Sequence, residues 1–166
     1  MKKILTLSLI IPALVFSACT NNDTSGTETT TSLTEQQSAA KPLDVITEVL
    51  KIISIASPVA KTKDNISDFY QKLDVSKVKD ASFYVCGSGA YPDEIAIFEF
   101  DSADSAVSGK EALQAHLDSQ ISSFKDYTPD EMYKLEGALI YTDGNYAVYV
   151  ACENNAKAKE IIDSMI

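Results

Sequence analysis

The chain has 166 residues, with 14 cationic and 24 acidic side chains, a formal charge of −10 and one histidine. Every cationic residue is lysine, and an acidic chain without arginine lacks the planar fork that reads phosphate and guanine, which argues against nucleic acid as a partner. The same charge is repelled by an anionic membrane surface, so any membrane attachment needs a lipid.

Lys2 and Lys3 precede an apolar run from Ile4 to Phe16, and Ser17-Ala18-Cys19 follows. The run of 13 residues is too short to cross a bilayer alone. A positive start, a short apolar core and small residues before a cysteine resemble the signal peptide of a bacterial lipoprotein, with Phe16 where that class usually has Leu. The resemblance implies that residues 1–18 are removed and that Cys19 carries the lipid. It places the protein at the cell membrane, facing the extracytoplasmic side. The mature chain would keep all the acids, lose Lys2 and Lys3, and carry a charge of −12.

Cys19 to Lys41 reads as the lipidated cysteine and a disordered tether. Ten of the 22 residues from Thr20 to Lys41 are Ser or Thr, and Leu33 is the one large aliphatic side chain. Such a segment cannot bury enough apolar surface to offset its ordering entropy. Residues 42–166 are left for a single domain.

Leu43 to Ala56 is predicted to be a helix, apolar on more than one side, with Pro42 in its first turn and Ser57-Pro58 as its stop. Asp64 or Asn65 caps a short helix through Leu73. The period then changes to two: Ala81–Cys86 and Glu94–Phe100 read as strands around the turn-rich loop 87–93. A long helix runs from Asp101–Asp104 to about Lys125, with Lys110 snorkelling from its apolar stripe. Thr128-Pro129-Asp130-Glu131 is a capping box that opens a short helix, ended by a left-handed Gly137. Leu139–Thr142 and Tyr146–Glu153 flank the hairpin signal Asp143-Gly144-Asn145, and Asn154 or Asn155 caps a final helix. The order predicts an α+β fold: a four-stranded antiparallel sheet from two ββα units, their two helices on one face, with N-terminal helices packed on the sheet.

Tyr91-Pro92-Asp93-Glu94-Ile95-Ala96-Ile97-Phe98, Ala112-Leu113 with Gln120 and Phe124, Tyr127 to Glu131, and Gly144-Asn145-Tyr146 before Val148-Tyr149-Val150 resemble a family of small bacterial lipoproteins. That family is known as a domain of unknown function, found mainly in Gram-positive anaerobes. The resemblance spans about residues 43–166 and implies a surface-anchored single domain. It supplies no catalytic residue.

The chemistry-bearing residues are few. Cys86 and Cys152 are either a disulfide, as an extracytoplasmic location permits, or two separate buried thiols. Gly87-Ser88-Gly89 returns into a strand rather than opening a helix, so it is a hairpin turn and not a phosphate cradle. Asp93, Glu94 and Glu131 are the candidates for paired acid–base carboxylates. His116, the lone histidine, lies at the flank of an apolar stripe and reads as a boundary residue; no metal cluster or cofactor motif accompanies it. Both faces of the last strands are apolar, so Phe98, Phe100 and Tyr149 are either covered by the N-terminal helix or form a partner surface. The sequence thus points to a lipid-anchored, non-enzymatic binding or accessory module for a protein or cell-wall ligand. An envelope enzyme using Asp93, Glu94 and Glu131, or a thiol–disulfide protein using Cys86 and Cys152, is the alternative.

Overall fold

A computed structural model describes residues 40–166. The expected signal peptide, Cys19 and most of the expected tether lie outside the described residues. Helix α1 spans Pro42–Leu50, α2 Ile66–Phe69, α3 Ala103–Phe124, α4 Met132–Glu136 and α5 Asn155–Asp163. Strands β1 (Pro58–Thr62), β2 (Val78–Cys86), β3 (Glu94–Phe100), β4 (Leu139–Asp143) and β5 (Tyr146–Ala151) form one antiparallel sheet in the order β1-β2-β3-β5-β4.

The sheet therefore has five strands, one more than the sequence pattern shows. The added strand, β1, has four of its five residues exposed, so it carries no alternation of burial to read. Pro58 opens it and Lys61 sits within it, both residues that edge strands tolerate and that discourage further pairing. The first helix also stops at Leu50, well before Ser57-Pro58.

The helices do not share one face. Both faces of the central strands are apolar, and each needs a helical cover. Ile95, Ile97, Val148 and Val150 pack beneath α1 and α5, against Val45, Ile46, Val49 and Ile162. Ala96, Phe98, Phe100, Ala147 and Tyr149 pack beneath α2 and α3, against Ile66, Tyr70, Leu113 and Leu117. Phe98, Phe100 and Tyr149 are thus 0%, 1% and 0% exposed. They are core residues and not a partner surface, and α3 rather than the N-terminal helix covers them. The Tyr70 ring meets Phe98 edge-on at 5.0 Å between centroids, a pairing that adds roughly 1 kcal/mol to the burial itself.

Ser102 caps helix α3, its hydroxyl accepting from the Ser105 N–H, and the packing stripe of the helix includes Gly109, while Lys110 is exposed. A Cβ on Gly109 would stand 2.2 Å from Cζ of Phe100, so this glycine lets the helix close onto the ring. The capping box at Thr128 does not form: Thr128 makes no side-chain cap, residues 129–131 are a 3-10 turn, and Glu131 reaches forward to Lys134. Gly137 follows α4 with φ −93°, not left-handed. The predicted β4–β5 hairpin is present, with Gly144 at φ +50°.

Candidate functional site

Strand β3 runs between the two ends of the domain. At its last residues, Glu99 pairs with Tyr146, whose hydroxyl donates to the Ala40 carbonyl at 3.0 Å. The chain therefore enters the domain at this end. At the first residue of β3, Glu94 pairs with Ala151, and the loop from Cys86 to Asp93 lies beside it. The separation along the strand is roughly 17 Å. The polar residues of the domain that carry most chemistry gather at this second end.

Asp93 and Glu94 are both buried, 3% and 2% exposed, and take separate partners. Glu94 shares the face of Ala96 and Phe98 and points beneath α3. Its Oε2 lies 2.9 Å from His116 Nε2, Tyr70 donates its hydroxyl to Oε1, and Gln120 approaches Oε2 at 3.5 Å. His116 Nδ1 stands 3.1 Å from the Phe69 carbonyl. The Gln120 amide nitrogen stands 3.2 Å from the same His116 Nε2, so Glu94, His116 and Gln120 form one polar cluster. Burial, then the charge of Glu94 and the bond to it, push the Tyr70 phenol well above its ordinary range. Burial and then the Glu94 charge do the same to Tyr149, whose hydroxyl is buried without a hydrogen-bond partner among the described residues. The cluster ties α2 and α3 to the sheet. The His116 and Glu94 side chains are 8% and 3% exposed, and His116 lines a cavity of about 340 Å³ with Phe69, Tyr70, Ala112 and Ser119.

Asp93 accepts from Lys134 of α4 at 2.7 Å, and Glu131 lies at the same distance on that ammonium. Burial opposes the charge on Lys134, but the bonds to Asp93 and Glu131 outweigh it and hold its pKa above the ordinary lysine value. The rings of Tyr91 and Tyr133 stand 5.6 and 5.9 Å from the same nitrogen. Both rings are open to solvent, at 42% and 51%, as is Tyr127 at 66%, which lies edge-on to Phe124. A cleft of about 160 Å³ opens among Tyr91, Asp93, Glu94, Gln120 and Phe124. Ligand pockets for whole drug-sized molecules run from roughly 300 Å³. This cleft suits one side chain or one ring of a larger ligand that spreads over the tyrosines.

Of the candidate carboxylates, then, Asp93 and Glu131 meet on Lys134, while Glu94 belongs to another cluster. The disulfide between Cys86 and Cys152 is absent, and both thiols are free and buried. Val85 pairs with Glu94 and Glu94 with Ala151, so β3 lies between the two cysteines. Two strand spacings are roughly 10 Å, beyond the roughly 7 Å reach of a disulfide. Burial tends to raise the Cys86 thiol, but the Ser88 hydroxyl at 3.1 Å and the N–H groups of Ser88, Tyr91 and Ala90 bring it below the ordinary value. Among the described residues no group of His, Cys, Asp and Glu is placed to hold a metal ion.

His116, Tyr70, Gln120 and Lys134 were not among the residues that the sequence singled out for the site. A signal for the first exists: Glu94 begins a file of Ala96, Phe98 and Phe100, and a carboxylate in an apolar file needs a buried partner. His116 and Gln120, one helical turn apart, are the polar residues beside the α3 stripe that supply it.

No curated protein and no solved structure matches the chain. A domain of unknown function, DUF4358, matches residues 53–152, which run from the end of the first helical region to the end of β5 and include both polar clusters. The chain belongs to this family.

Proposed function

We propose that the protein is a lipid-anchored extracytoplasmic binding module of the kind found among small Gram-positive lipoproteins. Cys19 carries the lipid, residues 20–41 are the leash, and the tyrosine-rich end of the domain takes a protein or cell-wall ligand. The observation that carries this reading is the grouping of exposed Tyr91 and Tyr133 around Lys134, at the end of β3 opposite Ala40. A leash entering at one end leaves the other end free to face outward. Exposed tyrosines are the side chains that interfaces favour, because they bury large area at small entropic cost. Among the described residues no helix is long and apolar enough to cross a membrane.

An envelope enzyme is favoured only by the presence of Asp93 and Glu94 in one cleft. Against it, Asp93 is ion-paired with Lys134, and Glu94 is enclosed by Tyr70 and His116. The test is saturable binding of the full chain to isolated envelope material, with loss of binding on Tyr91→Ala/Tyr133→Ala at unchanged melting temperature. Turnover of any envelope component that is abolished by Asp93→Asn would replace the binding reading with the enzymatic one.

A further inference from the structure

We infer that the tyrosine-rich end docks a lysine- or arginine-rich polypeptide segment; this rests on the binding reading above and names its partner. Three features agree on a cation. First, the Tyr91 and Tyr133 rings already stand within 6 Å of one ammonium, that of Lys134, while more than 40% of each residue remains open to solvent. The solvent-open parts of these rings can meet a cation from outside the domain. Second, two carboxylates, Asp93 and Glu131, share the single ammonium of Lys134, so the cluster is left with a net negative charge. Exposed Asp126, Asp130 and Glu136 extend that sign along the same stretch of chain, where Lys125 is the one exposed cation. Third, the cleft between Tyr91 and Phe124 has Asp93 and Gln120 in its wall and holds about 160 Å³. That is room for the end of a Lys or Arg side chain, with its methylenes along the Phe124 ring.

The sign of the whole chain points the same way. An anionic wall polymer or a nucleic acid would be repelled by a mature charge of −12. A basic segment is steered toward it. A neutral glycan would find the rings but would gain nothing from the surplus carboxylates.

The experiment uses the detergent-solubilised full chain and a 20-residue synthetic peptide in which Lys and Gly alternate, with a Glu/Gly peptide as control. The basic peptide is expected to bind saturably and to weaken as salt rises, while the acidic one does not bind. Tyr91→Ala/Tyr133→Ala should lower the affinity at least tenfold, and Leu43→Ala/Val107→Ala, which removes exposed apolar side chains elsewhere, should leave it unchanged. Equal binding by wild type and the tyrosine variant would overturn the inference, since charge alone would then explain it. Absence of peptide binding, with tyrosine-dependent binding of envelope material retained, would overturn the basic partner and leave the binding module standing. Loss of both would remove both.

Discussion

Glu94 Oε2 and His116 Nε2 meet at 2.9 Å beneath α3, almost wholly shielded from solvent. The helix that covers the aromatic face of the sheet is thereby fastened to β3 by a polar contact as well as by Leu113 and Leu117. Removing His116 leaves Glu94 Oε2 with only the 3.5 Å approach of Gln120, while Tyr70 still donates to Oε1, and a buried polar group short of a partner costs about 1–3 kcal/mol. His116→Ala should fall in that range in urea denaturation. Glu94→Gln/His116→Ala should cost less than the two single substitutions together, because the orphaned carboxylate is gone. Strict additivity would show that the two side chains do not act as a pair.

Gly109 sets how closely α3 approaches Phe100. In an open helix, Gly→Ala stabilises by roughly 0.5–1 kcal/mol. Here the added methyl would meet the ring at 2.2 Å, and overpacking of a filled core costs about 1–3 kcal/mol. Gly109→Ala is therefore expected to destabilise, and Gly109→Ala/Phe100→Leu to recover part of the loss. A more stable single variant, measured by thermal melting, would mean that α3 can lift from the sheet at no cost.

Alkaline pH should weaken the fold in a defined window. Burial pushes the Cys152 thiol up to about 11 from an ordinary value of 9.0. The folded state favours the protonated thiol. Its contribution, on the order of 2 kcal/mol, is fully present below about pH 9 and is lost as the pH rises through about 11. Tyr70 and Tyr149, raised chiefly by burial, act in the same sense at higher pH. Urea midpoints of wild type and Cys152→Ala at about pH 8 and about pH 10.5 should show a smaller drop in the variant.

The helices and strands with strong periodicity were legible in the sequence. Helix α3, strands β3 and β5 and the Asp143-Gly144-Asn145 turn all lie where the residues place them. β1 was not, because an exposed edge strand buries nothing that could leave a pattern. The assignment of faces was not, because an apolar residue calls for cover without naming the helix that provides it. This is why the sequence leaves Phe98, Phe100 and Tyr149 as either covered by the N-terminal helix or a partner surface, whereas they lie buried beneath α2 and α3. The carboxylates at 93 and 94 were visible as candidates. Their partners were not, since Tyr70, His116 and Lys134 come from three helical regions whose proximity only the fold decides. The tyrosines at 91, 127 and 133 sit in loops and short helices without periodicity, and exposure there is a property of the folded end of the sheet.

Membrane attachment is expected to depend on Cys19 alone. Cys19→Ala should move the protein from the membrane fraction to the medium or the soluble envelope fraction. Persistent sedimentation with membranes at high salt would mean that another contact holds it.

The most direct test of the account is the location of the binding surface. Full-length wild type, Tyr91→Ala/Tyr133→Ala and Leu43→Ala/Val107→Ala would be compared for saturable binding to isolated envelope material. The account predicts loss of binding in the tyrosine variant alone, with all three proteins melting at the same temperature. Undiminished binding by the tyrosine variant would contradict it.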